Sequence, residues 1–445
     1  MKRNIGVLGA TTTLVGLVVG ISIFILPGVL AGSTGPAVLV SYALASLLTM
    51  LTCVIYAQIG SVFPVSGASI VSISRLVSPF CGFAGVWMMI GGAAVAISLL
   101  AYGFADYAAL VFPGLERRTV AIGAVAALAG FNLLGVRSNV LVQGALVSVF
   151  MLGLCVFTVA GLVHLDMSLL VPLAPNGWQP VFAAAIPAFF SFAGFMVIID
   201  IGGEIDNPGR TIPRAIALSV VVVVSIYLLV SLALVGTVPW QELAQIDAPV
   251  GEAAARILPG WTATAITLSA IAAAASSIHG LMLGYSRDIL ALAQIQVLPH
   301  ALSRLSQRTG VPAYSVLFML ALSLAALSAG AGIREFATLI AVALLVLQIL
   351  LGLAVLALPR RMAKEFRESQ FRLPLPLLRS CGVILIVVSS LFLVLAFHDS
   401  PRTALTAALY LSIAAAYYAL RRRYLRGQGI LIENRILRET ATEPL

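Results

Sequence analysis

Long apolar runs recur along the whole chain, each closed by a short polar or basic link. They centre near Val18, Leu47, Ala94, Ala126, Met151, Phe190, Val223, Ala273, Ala321, Leu345, Val387 and Ala414. A sliding hydropathy window reads this pattern as about twelve transmembrane helices. The fourth (near Val120 to Leu134) and the ninth (near Tyr314 to Leu327) are short for a hydrocarbon layer about 30 Å thick. The first run, from near Ile5 to Ala31, follows Met1-Lys2-Arg3 and shows no small-x-small cleavage site, so it reads as a retained helix and not a signal peptide. The expected fold is an all-α integral membrane protein.

Composition sharpens this picture. Of 445 residues, 61% are hydrophobic and 10% are charged, with a mean hydropathy of +1.08; a soluble chain carries about 25% charged residues. A dozen spans of about 20 residues leave no room for a separate soluble domain. The expected layout is one transmembrane core over 1–400, a last span over 401–420 and a basic cytoplasmic tail over 421–445. The tail suits electrostatic contact with anionic headgroups, which makes the lipid bilayer its expected partner. The net charge of +9 does not imply nucleic acid, because the basic residues are scattered between apolar runs and form no single face with interleaved aromatics. With a cytoplasmic N-terminus, Lys2, Arg3, Arg137, Arg210, Arg287, Arg360 and the tail arginines share one side, against Arg117, Arg118, Arg256, Arg334 and Arg402 on the other. Positive-inside then places both termini in the cytoplasm with an even number of spans. The link from Pro239 to Trp261 has room for a short interfacial helix. Cys53, Cys81, Cys155 and Cys381 lie in or beside apolar runs without metal or redox spacing and read as free thiols.

Enzymatic chemistry finds no support. The sequence holds no H-E-x-x-H, C-x-x-C or paired-carboxylate motif, so neither a catalytic residue, a metal nor a cofactor is expected. The informative positions are the polar or helix-breaking ones inside the spans. Helix one carries Gly16, then Gly20-Ile21-Ser22-Ile23-Phe24 and Pro27-Gly28. Helix six carries Phe190-Ser191-Phe192-Ala193-Gly194-Phe195, followed by Asp200 and Gly202-Gly203-Glu204. Glycine lets a helix open for a few residues. Backbone opened at membrane depth must face protein or a cavity, because lipid cannot satisfy it. Amides near Ile21 to Ile23 would receive a carboxylate at the start of a half-helix, and carbonyls near Val18, Phe190 and Ala193 would receive an ammonium group. A zwitterion fits both ends. Either glycine cluster alone also fits close helix packing.

These residues resemble the amino acid–polyamine–organocation superfamily of permeases. Gly20-Ile21-Ser22-Ile23-Phe24 with Pro27-Gly28 is similar to its helix-one motif. Tyr56 to Gly67 resembles the segment after helix two, with Gln58 where an acidic residue is usual. Asn132-Leu133-Leu134-Gly135-Val136-Arg137 resembles the link between helices four and five. Phe192 to Phe195, together with Gly203-Glu204-Ile205-Asp206-Asn207-Pro208-Gly209-Arg210-Thr211-Ile212-Pro213-Arg214-Ala215, resembles the helix-six core and its following loop. The resemblance implies a LeuT-like five-plus-five inverted repeat, about 5–165 and 180–360, with helices one and six broken and two additional C-terminal helices. It also implies substrate binding by Val18, Gly20, Ile21, Ser22 and Ile23 and by Phe190, Ser191, Ala193 and Gly194, with Phe190 as an aromatic gate. The expected activity is secondary active transport of amino acids by alternating access, in the bacterial cytoplasmic (inner) membrane. A carrier for polyamines or other small organic amines and a non-transporting amino-acid sensor are the alternatives. Met196 stands where relatives handling cations place a carboxylate, which favours a neutral, fairly apolar substrate.

Coupling to H+ or Na+ is left open. Phe150 stands where some proton-coupled relatives carry a lysine, so any proton must use another embedded group. Asp200 and His279 are the candidates, each equally at home as a hydrogen-bonded structural residue; Ser276 and Ser277 are the candidates for a sodium site against helix one. Glu204 with Arg210 and Arg214 reads either as a gate-latching ion-pair cluster or as headgroup-level charge. Nothing in the sequence sets an oligomeric state.

Overall fold

Where the apolar runs are unbroken the chain forms long helices, and where glycine or proline interrupts them it forms short helices in series. The computed structural model describes residues 6–63, 67–134, 136–196, 198, 205–307, 309–330 and 332–439. The helices are α1 Val7–Val18, α2 Ser22–Thr34, α3 Val38–Val62, α4 Ala68–Leu76, α5 Pro79–Val111 and α6 Arg117–Leu133. They continue with α7 Val136–Val163, α8 Gln179–Phe190, α9 Pro208–Val235, α10 Trp240–Leu243, α11 Pro249–Ile257 and α12 Gly260–Gln294. The last are α13 Ala313–Ser328, α14 Ile333–Arg361, α15 Ala363–Glu368, α16 Leu375–Asp399, α17 Pro401–Gly427 and α18 Ile432–Glu439. The fold is all-α.

Among the described residues, the stretches long and apolar enough to cross a bilayer are Ser22–Val62 (α2 and α3 in series), α5, Gln143–Val163 within α7, α9, α12, α14, α16 and α17. Three shorter apolar helices, α1, α8 and α13, accompany them. Burial gives the same answer independently. On α7 the residues at helical spacing Val149, Leu152, Val156, Val159 and Val163 are exposed, Leu152 by 69%, while Phe150, Leu154 and Phe157 face the interior. A continuous apolar stripe turned outward is unstable in water and at ease in hydrocarbon. Val383, Val387, Leu391 and Val394 make the same outward stripe on α16. The chain is a multi-pass membrane protein.

The helices pack in two groups. In one, α1 and α3 pack against α9, and α3 also packs against α8; in the other, α5 meets α6, α12 and α13, which contact one another. α7 spans the two groups, touching α9 and α12, and α14 joins α5, α8 and α16. Between residues 239 and 261 the structure builds two helices, α10 and α11. α11 packs into the protein: Val250, Ala253 and Ala254 are fully buried, and a Cβ on Gly28 of α2 would overlap the Pro249 ring.

The last long helix extends past residue 420 into the basic segment. α17 runs on to Gly427. Its polar end is fastened down: Tyr417 donates to the Val297 carbonyl (2.9 Å) and Arg421 Nε to that of Gln296 (2.9 Å). α18 then packs against α4 and α5 with Ile432 and Ile436 buried, and Glu433 pairs with Arg422 (2.5 Å). The amphipathic spacing of that segment found a protein surface to cover. The four thiols are free, with Cys53 and Cys381 buried and Cys155 exposed on α7.

Candidate functional site

The first membrane helix is interrupted just after Val18. Val19 has extended backbone (φ −80°, ψ 93°) and its amide still closes the last turn of α1 on Val15; a new helix begins at Ser22. The second interruption follows Phe190. The amides of Ser191, Phe192 and Phe195 bond three residues back, to Ala188, Phe189 and Phe192, and the chain tightens into a 3-10 turn at Ala193–Met196. Each break leaves backbone groups without helical partners.

The two breaks lie against each other. An added Cβ on Gly194 would fall 2.7 Å from the Leu17 carbonyl oxygen and 2.9 Å from the Val18 Cα. Only glycine fits so close to another backbone. Gly20 touches a different neighbour, since a Cβ there would overlap the Ser277 hydroxyl of α12. Val18, Ile21, Ser22, Ile23, Phe190, Ser191 and Met196 are all buried; Ala193 and Gly194 are half-buried.

A residue outside the expected set joins the breaks. Tyr227 of α9 is fully buried, and its hydroxyl lies 3.2 Å from the Val18 carbonyl, 3.0 Å from the Ser191 carbonyl and 3.0 Å from the Ser22 hydroxyl. Its ring stacks on Tyr42 of α3 (centroids 5.5 Å apart) and tilts against Phe192 (5.1 Å). Beside the second break a polar-edged cavity of about 10 Å³, room for one water at most, is lined by Thr49, Thr52, Cys53, Tyr56, Ala193 and Gln348, among others. The sequence signal for Tyr227 is one aromatic hydroxyl in the largely apolar run from Val220 to Val235, which also carries Ser225 and Ser231.

The candidate coupling residues divide. Asp200 and Glu204 lie outside the described residues. Arg210 is exposed on the first turn of α9. Ser277 faces Gly20, whereas Ser276 faces α7 and accepts a hydrogen bond from Gln143 Nε2 (2.8 Å). His279 turns to α6: the Asn132 amide donates to its Nδ1 (3.0 Å), which puts the ring proton of the neutral form on Nε2. Among the described residues His279 Nε2, Asn132 Oδ1 and Gln143 Oε1 are buried without partners, an unmet polar demand of the kind an internal water satisfies. Neither Asn132 nor Gln143 had stood out as a functional candidate.

Two clasps close the ends of the bundle. Tyr107 of α5 donates to the Phe24 carbonyl (2.6 Å) and accepts from the Val250 amide (3.2 Å), tying α2 to α11. At the far end of α3, Gln58 Nε2 donates to the Phe371 carbonyl (3.1 Å) while its Oε1 accepts from the Leu373 amide (3.0 Å). A carboxylate can only accept, so the amide at position 58 meets both demands where an acid would meet one.

The Amino acid permease family matches residues 5–416. The chain belongs to the amino acid permease family. An uncharacterised transporter of Mycobacterium tuberculosis is 30% identical over 75% of each chain. The branched-chain amino acid permease BcaP of Bacillus subtilis is 26% identical over 81% of this chain and 82% of its own length. Cationic amino acid transporter 9, chloroplastic, of Arabidopsis thaliana is 29% identical over 68% of this chain and 58% of its own. Permease membership accords with a membrane transport protein and not an enzyme.

Proposed function

We propose that this permease is a secondary transporter for neutral, fairly apolar amino acids, working by alternating access. The observation that carries the reading is the contact of two helix breaks at Gly194 and Leu17–Val18. It puts the amides that begin α2 beside carbonyls freed at Val18 and Ser191, the complement of a zwitterion's two charged ends. On this reading the chain crosses the membrane twelve times: α1 with α2, then α3, α5, α6, α7, the broken helix begun by α8, α9, α12, α13, α14, α16 and α17. Both termini are then cytoplasmic, and the protein sits in a bacterial cytoplasmic membrane. The group containing α1, α3, α8 and α9 rocks against α5, α6, α12 and α13, the division the packing follows.

Substrate preference rests on the lining. Among the described residues the neighbourhood of the breaks is built from Val18, Ile21, Phe190, Phe192 and Met196, with hydroxyls from Ser22, Ser191 and Tyr227. Among the described residues no countercharge lies there for a guanidinium or second ammonium group, whose desolvation would then be costly. The branched-chain amino acids named for the BcaP relatives suit this apolar lining better than the cationic ones named for the plant transporters do. The test is binding and exchange of a panel of labelled amino acids by the purified protein. Preference for leucine, isoleucine and valine supports the reading; preference for arginine, lysine or putrescine refutes it.

A further inference from the structure

We propose that the Tyr227 hydroxyl is an internal stand-in for the substrate's ammonium group, holding the two helix breaks together while the carrier is empty. The inference rests on the transport reading above and adds to it how the unloaded protein closes.

The argument begins with what each break leaves undone. In a continuous helix the Val18 carbonyl would accept the amide of residue 22, but the chain departs from helix at Val19 and that bond is denied. The Ser191 carbonyl sits at the corresponding place after α8. Buried carbonyls without donors are costly, and in the loaded carrier the amino group of a substrate would supply the protons. Here the Tyr227 O–H supplies one: it lies about equally far from both oxygens, 3.2 Å from Val18 and 3.0 Å from Ser191. Ser22, the first residue of α2, sits 3.0 Å away and can donate to the phenol oxygen in turn. One side chain from α9 therefore touches α1, α2 and the segment after α8.

An ammonium ion and this hydroxyl seek the same oxygens at the same distance, so the two compete. Substrate binding must push the hydroxyl off at least one carbonyl. The ring is held between Tyr42 and Phe192 by contacts that do not involve its oxygen, so replacing it by phenylalanine removes the competitor and keeps the packing. Exchange of one amino acid for another never requires the empty carrier to cross between its two facing states, whereas net movement does. The Tyr227 hydrogen bonds stabilise only the empty closed form. Their removal must slow net movement selectively and strengthen substrate binding.

The experiment compares wild type with Tyr227→Phe in proteoliposomes, using labelled leucine. Exchange is measured with leucine inside, and net movement by efflux into leucine-free buffer; the thermal midpoint with and without leucine is read on the purified proteins. The inference expects the ratio of net efflux to exchange to fall about tenfold and leucine affinity to rise about two- to tenfold, the range of one hydrogen bond. It also expects a lower midpoint without leucine and a larger rise on adding it. Parallel loss of exchange and net efflux, or no change in their ratio with no change in affinity, overturns the stand-in while leaving the transport reading in place. Failure of the wild type to bind or exchange any amino acid of the panel overturns both.

Discussion

Gly194 rests directly on the backbone of Leu17: a single added carbon would sit 2.7 Å from the Leu17 carbonyl oxygen. Backbone cannot rotate aside as a side chain can. Gly194→Ala must therefore separate the breaks by several tenths of an ångström, at a cost of about 1–3 kcal/mol. We expect leucine binding to weaken by about five- to 140-fold on that range, with membrane insertion unchanged. At Gly20 the obstructing atom is the rotatable Ser277 hydroxyl, so Gly20→Ala should be far milder and Gly20→Val severe. Equilibrium binding of labelled leucine separates the cases; equal effects of the two alanine variants would contradict this account of the glycines.

Met196 tests the lining. It is buried at the end of the 3-10 turn that follows the second break, and Met196→Glu would add a carboxylate to a neighbourhood uncharged among the described residues. The ratio of arginine to leucine affinity should rise by at least an order of magnitude, following the 1.4 kcal/mol per decade of binding. An unchanged ratio in a folded variant would remove Met196 from the substrate's surroundings.

His279 is held by Asn132 in the tautomer that leaves Nε2–H buried and unpartnered among the described residues. If this ring carries a coupled proton, His279→Gln should abolish accumulation driven by a pH gradient while sparing exchange at equal pH. Asn132→Leu should weaken the same accumulation by releasing the ring. Loss of exchange as well would mark the pair as structural. Accumulation that survives both changes would remove the proton from this site.

Gln58 fastens the linker before α16 through a donor and an acceptor. Gln58→Glu retains only the acceptor, and the loss of one buried hydrogen bond should cost about 1 kcal/mol. Trypsin should then cut the linker at the exposed Arg372 several-fold faster than in wild type. Unchanged cleavage would mean that the linker is held by other contacts.

Much of this molecule is legible in its sequence because membranes simplify the code: an apolar run of the right length is a helix, and Gly20 and Gly194 mark its breaks, whereas Pro27-Gly28 lies within unbroken α2. The interruption after Val18 and the 3-10 turn at Ala193 sit on residues that stand out before any coordinates are known. The same rules are silent about partners. Nothing in the spacing of Tyr227 says that it reaches both breaks, since that depends on how α9 packs on α1 and α8. Asn132 reads as part of a loop motif until its meeting with His279 is seen. The basic charge of residues 421–445 suggests headgroup contact but does not say that Ile432 and Ile436 are buried or that their helix packs on α4 and α5. Gln58 was visible as a departure, and the paired donor and acceptor of the 371–373 backbone explain it.

The central claim is that a neutral amino acid crosses the membrane through this protein, and counterflow tests it most directly. Proteoliposomes loaded with unlabelled leucine are diluted into a trace of labelled leucine, with ionic gradients collapsed. The account predicts transient accumulation of label above equilibrium, suppressed by external isoleucine or valine and left intact by arginine or putrescine. Absence of counterflow for leucine despite measurable leucine binding would identify a binding protein without flux. Suppression by arginine or putrescine alone would contradict the neutral-substrate assignment.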